Sequence, residues 1–202
     1  MIFLWGASGH AKVVIEILES TSASIGGLCD RDESIQSLLD YPVSLRLPET
    51  FDATKDQVLI TIGNNEIRKN IAEVHPFNYA KAIHPSAIIS PRTTIEAGTV
   101  VMAGVSINSS TKIGAHAIIN TNCSIDHDCI IEDFVHISPN AALAGNVSVG
   151  EGSHIGIGVS IIQGISIGKW VTVGAGAVII KDIPDYAVVV GNPGKIIKYN
   201  RQ

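Results

Sequence analysis

The sequence predicts a small α/β domain followed by a parallel β-helix. Aliphatic residues recur at every sixth position through the C-terminal half, whereas the N-terminal third contains short apolar runs that each end in a glycine-rich or polar turn. The composition agrees, because 46% of the residues are hydrophobic but only 5% are aromatic, and 19 are glycine. An interior tiled by small and β-branched side chains suits short β-strands. We place the division between the domains at residue 80, which gives ranges 1–80 and 81–202.

The N-terminal domain is predicted to open with a strand, a glycine turn and a helix. The apolar run 1–5 leads into Gly6-Ala7-Ser8-Gly9-His10, and residues 11–18 place apolar side chains at helical spacing. Such a turn directs backbone N–H groups toward an anion. It lacks the third glycine of the dinucleotide-binding pattern, so the turn alone is equally compatible with a structural role.

Two further strands are predicted in this domain. Residues 25–29 end at Asp30, about twenty positions after the glycine turn, where doubly wound folds place an acidic residue against a ribose. Residues 58–62 run into Gly63 and then into a helix. We therefore expect three βα units whose loops meet at the carboxyl edge of a parallel sheet, the usual ligand crevice. This Rossmann-like domain is half-sized and suits a mononucleotide.

A strict period of six organises the C-terminal domain. Seventeen consecutive hexapeptides begin with an aliphatic residue, from Ile83 to Ile179, and their fifth positions, from Ala87 to Ile183, are all small or β-branched. The period predicts a solenoid with one short strand per hexapeptide and with both positions facing inward. Three hexapeptides close one triangular coil, so residues eighteen apart lie above one another.

Several motifs resemble one enzyme family. The hexapeptides are similar to those of the left-handed β-helix acyltransferases, and Gly191-Asn192-Pro193-Gly194-Lys195 resembles their ending. With the G-A-S-G-H turn and the run I-G-N-N-E-I-R-K at 62–69, nearly the whole chain resembles bacterial nucleotide-sugar N-acetyltransferases, whose relatives include sialic acid O-acetyltransferases. The resemblance implies acetyl transfer from acetyl-CoA to the 4-amino group of a UDP-linked 4-amino-4,6-dideoxy or 2,4,6-trideoxy hexose in glycan biosynthesis, with UDP favoured over dTDP. It also implies a homotrimer with active sites between subunits.

Histidine is the natural base for forming an amide from a thioester, because its pKa lies near neutrality. His127 stands at the third position of its hexapeptide between two aspartates, and Gly145 lies eighteen residues later, directly above it. The resemblance implies that His127 is the base, Asp128 its partner and the Gly145 N–H the donor to the oxyanion. Because a well-known relative has glutamate in place of Asp128, Asp126 and Glu132 stay candidates for orienting the ring.

The resemblance also implies two binding sites. Acetyl-CoA would contact His136 and the backbones of Ile157 and Ala175. The nucleotide sugar would contact Ser8, Gly9, His10, Asp30, Arg31 and Gly63. His116 and His154 are expected to be structural, although His154 stacks one coil above His136 and is an alternative member of the CoA groove.

Charge and composition exclude other classes of function. The formal net charge of −5 and the isoelectric point near 5.7 offer no basic surface to nucleic acid. No apolar run approaches the length of a membrane span, and the N-terminus lacks the pattern of a signal peptide. We expect a cytoplasmic protein with reduced cysteines and no metal.

Three other functions are alternatives to sugar N-acetylation. An O-acetyltransferase acting on sialic acid or another sugar hydroxyl shares the same motifs. A non-catalytic nucleotide-sugar-binding protein would release no thiol from acetyl-CoA. A γ-type zinc carbonic anhydrase uses the same solenoid but needs two histidines five residues apart, whereas the successive spacings from His116 are 11, 9 and 18 residues.

Overall fold

The computed structural model describes residues 1–200 and contains an α/β unit followed by a β-helix. The helices are α1 (Gly9–Ser20) and α2 (Asn65–Val74). The strands of the α/β unit are β1 (Ile2–Trp5), β2 (Ile25–Cys29), β3 (Ser37–Leu38), β4 (Tyr41–Ser44) and β5 (Gln57–Ile60). They form one sheet in the order β3-β4-β2-β1-β5, in which β4, β2, β1 and β5 are parallel.

The expectation of three βα units is wrong for the middle one. Between β2 and β5 the chain forms the antiparallel pair β3–β4 instead of a helix. Asp32 accepts hydrogen bonds from the backbone N–H and the hydroxyl of Ser34, at 2.9 and 2.6 Å, which stabilises a turn that competes with a helix. Leu39 has a left-handed φ of 51°, and Pro42 lacks an N–H, so neither suits a helix interior.

The β-helix consists of seventeen two-residue strands, one per hexapeptide, so the predicted solenoid is confirmed. These strands are β6 (Ala82–Ile83), β7 (Ile88–Ile89), β8 (Thr94–Ile95), β9 (Val100–Val101), β10 (Ser106–Ile107), β11 (Lys112–Ile113), β12 (Ile118–Ile119), β13 (Ser124–Ile125), β14 (Ile130–Ile131), β15 (His136–Ile137), β16 (Ala142–Leu143), β17 (Ser148–Val149), β18 (His154–Ile155), β19 (Ser160–Ile161), β20 (Ser166–Ile167), β21 (Thr172–Val173) and β22 (Val178–Ile179). The antiparallel pair β23 (Ala187–Val190) and β24 (Lys195–Tyr199) follows them.

Every third strand pairs in parallel with an offset of eighteen residues, which produces three flat sheets. The first sheet contains β6, β9, β12, β15, β18 and β21 and continues into β23 and β24; the second begins at β7 and the third at β8. First and fifth positions of the hexapeptides point inward and form a continuous apolar core, as predicted. Fourth positions are left-handed throughout from Gly98 to Gly176, which explains their glycine, asparagine and aspartate residues.

Three corners join the sheets. Each corner takes the number of the sheet whose strands lead into it, so the chain passes from the first sheet through the first corner to the second sheet. The third corner differs because it carries bulky residues in the left-handed conformation: His116, Phe134 and Trp170 have φ values of 55°, 59° and 54°. The rings of His116 and Phe134 stack with 5.1 Å between centroids. Lys69 of α2 lies over the rings of Phe134 and Trp170, so contacts with the α/β unit offset the backbone strain.

The α/β unit packs on the outer face of the first sheet. Helix α1 and the apolar residues of its sheet share one buried cluster with Ala82, Val100 and Ile118, which are outward-facing sixth positions of the hexapeptides. Sixth positions elsewhere are polar or exposed, such as Lys112 and Ser124, apart from the half-buried Val178. The apolar face of the α/β unit is therefore covered by the first three coils.

Arg68 of α2 connects the α/β unit to the β-helix. Its side chain is only 1% exposed and donates to the carbonyls of His116 and Phe134 at 2.8 and 2.9 Å. It also bonds Asn65 Oδ1 at 2.8 Å and the carbonyl of Ile62 at 3.0 Å. Burial lowers the pKa of Arg68 to about 9. Since these acceptors are neutral, the guanidinium leaves a net positive charge beside the third corner.

Candidate active site

The second corner carries the predicted base. His127 Nδ1 lies 2.8 Å from Asp128 Oδ2, so the shorter aspartate does reach the ring. Asp128 occupies a left-handed fourth position with a φ of 60°, which turns its carboxylate back toward its neighbour. This hydrogen bond is the main cause that raises the pKa of His127, and the charge of Asp126 adds to it. The arrangement leaves Nε2 free to take a proton.

The two other candidate carboxylates have different partners. Asp126 accepts from the backbone N–H of His127 at 2.8 Å and from the Asn108 side chain at 2.7 Å. Glu132 lies at the third corner, where it accepts from the backbone N–H of Glu151. Among the described residues, the geometry therefore favours Asp128 as the group that orients the ring.

Gly145 lies directly against the His127 ring. A Cβ added to Gly145 would lie 2.7 Å from both Cε1 and Nε2 of His127, so any side chain at this position would displace the ring. The backbone hydrogen-bond ladder of the β-helix engages second, fourth and sixth positions, and it leaves third-position N–H groups without a backbone acceptor, although some of them donate to side chains. The Gly145 N–H accordingly has no acceptor within residues 1–200 and stands free beside the imidazole.

The first corner shows the same property. Ile157 and Ala175 occupy third positions one coil apart, both are exposed, and their N–H groups have no acceptor in the described part of the chain. Free N–H groups in line along the axis suit the amide carbonyls of an extended ligand.

His136 and His154 lie on the outer face of the first sheet, just beyond α1. Their rings stack with 4.7 Å between centroids. Burial lowers the pKa of His136 to about 3, and the charges of His154, Arg68 and His10 contribute. Burial likewise lowers the pKa of His154. Both imidazoles are thus neutral hydrogen-bonding groups at physiological pH.

The α/β unit brings its predicted ligand residues to the carboxyl ends of the strands. Ser8 and Gly9 begin α1, and a Cβ added at Gly9 or Gly63 would meet nothing within 4 Å, so both backbones are open to a ligand. Asp30 Oδ2 accepts from the Ala7 N–H at 2.7 Å, so this carboxylate holds the glycine turn. His10 is largely enclosed, and its Nε2 has no partner within residues 1–200.

Two cavities flank this edge. One of about 440 Å³ is lined by Trp5, Asp30, Arg31 and Ile62, among others. The other, of about 800 Å³, lies between Gly63, just before α2, and His154 on the first sheet. The second cavity was not predicted. Its one sequence signal is that His154 repeats His136 at an interval of eighteen residues.

Within one chain the predicted residues form two separate groups. The glycine turn, Gly63 and His136 gather around the first sheet, whereas His127, Asp128 and Gly145 lie at the opposite second corner. No hydrogen bond or ion pair in residues 1–200 connects the His127 corner with the α/β unit.

Neither helix in residues 1–200 combines the length and apolar character needed to cross a bilayer. Within that same range, no group of three or more His, Cys, Asp or Glu side chains is arranged to hold a metal ion. The three cysteines, Cys29, Cys123 and Cys129, are buried and unpaired with one another.

Comparison with known proteins agrees with this architecture. Residues 1–74 match the PglD N-terminal domain. A histidine-to-asparagine variant of perosamine N-acetyltransferase from Caulobacter crescentus, solved in complex with CoA and GDP-perosamine, is 39% identical, with a TM-score of 0.92 over 98% of this chain and 96% of that chain. The acetyltransferase domain of PglB from Neisseria gonorrhoeae is 38% identical, with a TM-score of 0.90 over 97% and 98% of the two chains. Comparison with curated proteins gave no match.

The fold and the site define a hexapeptide-repeat acyltransferase with a left-handed β-helix and an N-terminal nucleotide-type domain. Identity of 39% over almost the full length of both chains then places the protein more narrowly. The chain belongs to the nucleotide-sugar N-acetyltransferases of the hexapeptide-repeat family. The prediction of an acetyl-CoA-dependent sugar N-acetyltransferase is confirmed at the level of this family.

Proposed function

We propose that this protein transfers the acetyl group of acetyl-CoA to the 4-amino group of a UDP-linked 4-amino-4,6-dideoxy or 2,4,6-trideoxy hexose, with His127 as general base. The observation that carries the proposal is the second corner: an imidazole held by a carboxylate, with a free third-position N–H directly beside it. These are the two groups that amide formation from a thioester requires.

In the proposed mechanism each group has one step. The amine nitrogen attacks the thioester carbonyl, and the developing oxyanion accepts a hydrogen bond from the Gly145 N–H. His127 Nε2 takes a proton from the attacking nitrogen, while Asp128 stabilises the imidazolium through Nδ1. The C–S bond then breaks, and the departing thiolate receives the proton from His127. Because the amine is itself the nucleophile, no acyl-enzyme is required.

The separation of the two groups supports assembly of the site from two copies of the chain. We propose a homotrimer in which the second corner of one subunit faces the first sheet and first corner of its neighbour. His136, Ile157 and Ala175 would then bind acetyl-CoA beside the neighbour's His127. Ser8, Gly9, His10, Asp30, Arg31 and Gly63 would bind the nucleotide sugar. In this assignment the chain divides near residue 80 into a nucleotide-sugar domain and an acetyl-CoA domain.

The nucleotide is tested with a panel of UDP-, GDP- and dTDP-linked 4-amino sugars, with thiol release from acetyl-CoA as the readout. We expect the highest kcat/KM with UDP. GDP is the second candidate because the Caulobacter relative is described with GDP-perosamine. A kcat/KM at least about tenfold higher with GDP, which corresponds to about 1.4 kcal/mol, overturns the UDP assignment and leaves the acetyl transfer intact.

Asp128→Asn tests the orienting carboxylate. Because the hydrogen bond that the Asp128 carboxylate accepts from His127 raises the pKa of His127, replacement of the carboxylate by a neutral amide lowers that pKa. A base works only when deprotonated, so the acidic limb of the kcat/KM profile moves to lower pH in the variant. We expect kcat to fall by about 10- to 100-fold, the usual effect of removing a hydrogen bond to a charged group.

Asp126→Asn is the matched control for this experiment. Its charge raises the pKa of His127 less than the hydrogen bond to Asp128 does, and the amide oxygen still accepts from the backbone. The acidic limb should move less than in Asp128→Asn. An unchanged midpoint in Asp128→Asn would contradict the assigned role.

A further inference from the structure

The outer face of the first sheet changes character along the axis of the β-helix. Its first three sixth positions are the apolar residues buried under α1, and the next three are His136, His154 and Thr172. His154 and Thr172 line the cavity of about 800 Å³ at the start of α2. The reaction described above gives His154 no role.

The two histidines repeat the same geometry from one coil to the next. They are register partners in neighbouring strands, and their ring planes differ by 6°. His136 Nε2 lies 3.1 Å from Asn120 Nδ2, and His154 Nε2 lies 2.8 Å from Ser138 Oγ, in each case a residue sixteen positions earlier. Both rings therefore direct Nε2 toward the protein and the opposite edge outward.

The partners of Nε2 determine where each ring carries its proton. The Oδ1 atom of Asn120 accepts from the Thr121 N–H at 2.8 Å, so Nδ2 faces His136 and donates to Nε2. Ser138 is only 3% exposed, and its hydroxyl has no other acceptor within residues 1–200, so it donates to His154 Nε2. Each neutral ring then carries its hydrogen on Nδ1.

The surroundings of the pair attract an anion. The positive charge of the buried Arg68 guanidinium is one cause of the lowered pKa of both histidines. The N-terminal turn of α2, which begins after Asn64, borders the cavity of about 800 Å³ that His154 lines. Glu66 also borders this cavity and adds a negative charge to it. Recognition of an anion here therefore depends on directed hydrogen-bond donors more than on net charge.

We propose that His136 and His154 present a pair of Nδ1–H donors that binds the diphosphate oxygens of a nucleotide ligand, and that Ser138 is the positioning residue for His154. The inference rests on the proposed function, because acetyl-CoA and the nucleotide sugar both carry a diphosphate. The ring spacing of 4.7 Å allows the two donors to reach oxygens of adjacent phosphates. His154, which the sequence left as structural or as an alternative member of the CoA groove, thus becomes a binding residue for a diphosphate.

His154→Phe tests the binding role, since phenylalanine keeps an aromatic ring in the stack and removes the donor. We expect the KM of one substrate to rise about tenfold, as for loss of one hydrogen bond to a charged group. A rise for acetyl-CoA identifies CoA as the source of the diphosphate, and a rise for the nucleotide sugar identifies the sugar nucleotide. Ser148→Ala on the third sheet is the control and should leave both KM values unchanged.

The tautomer is read independently by ¹⁵N NMR of histidine-labelled protein. In the wild type, the His154 signals should show a protonated Nδ1 and an unprotonated Nε2. In Ser138→Ala they should move toward the Nε2–H form, whereas Ser148→Ala leaves them in place. A wild-type Nε2–H form, or unchanged KM values for both substrates in His154→Phe, overturns the inference. The proposed function fails separately, through undiminished turnover of His127→Ala.

Discussion

Replacement of His127 by alanine is expected to lower turnover by about 10²–10⁴-fold, the range that a positioned general base contributes. The imidazole is the one side chain beside the free Gly145 N–H whose pKa is raised by a hydrogen-bonded carboxylate. Without it, the attacking nitrogen must lose its proton to water. The measurement is thiol release from acetyl-CoA at saturating nucleotide sugar.

The same variant should bind the nucleotide sugar with nearly unchanged affinity, because the proposed contacts to the nucleotide come from the α/β unit and His127 is proposed to act only on the attacking amine. Isothermal titration calorimetry measures this directly. The side chain of His127 is 58% exposed, so its removal should leave the thermal midpoint almost unchanged. His84→Ala is the matched control: His84 hydrogen-bonds Ser86 on the first coil and is expected to tolerate removal. Turnover of His127→Ala within about tenfold of wild type contradicts the assignment.

The β-helix was predictable from sequence because its period is set by local physical chemistry. Each hexapeptide needs a bulky residue inward at the first position and a small or β-branched one at the fifth, and this demand repeats without insertion from Ile83 to Ile183. The middle of the α/β unit was not predictable in this way. The segment between β2 and β5 has no strong period, so local turn formation at Asp32 and Leu39 decided its structure.

The candidate site was predictable only where it follows the register of the solenoid. The eighteen-residue interval placed Gly145 over His127, and the structure has this contact. The role of Arg68 was not predicted, because its acceptors are carbonyls of His116 and Phe134, more than forty residues away in sequence. Backbone acceptors carry no sequence signal. The lowered pKa of His154 likewise depends on desolvation and on the charge of Arg68, which a sequence does not show.

Replacement of Gly145 by alanine is expected to lower kcat by about 10²-fold without unfolding the protein. The added Cβ would lie 2.7 Å from Nε2 and Cε1 of His127. The exposed ring yields more easily than the backbone of the coil, so the base moves away from the oxyanion donor. A displacement of about 1 Å in an active site typically costs this much. Gly145 has no left-handed φ, so the alanine introduces no backbone strain.

A double-mutant cycle with His127→Ala identifies the cause of this loss. When the ring is absent, the alanine at position 145 meets no atom of it, so Gly145→Ala should add little to the effect of His127→Ala. Multiplicative losses in the double variant would mean that the alanine acts on the N–H donor or on the coil, and not through the ring. Because both variants change only side chains at one exposed corner, equal thermal midpoints for all four proteins restrict the coupling to catalysis.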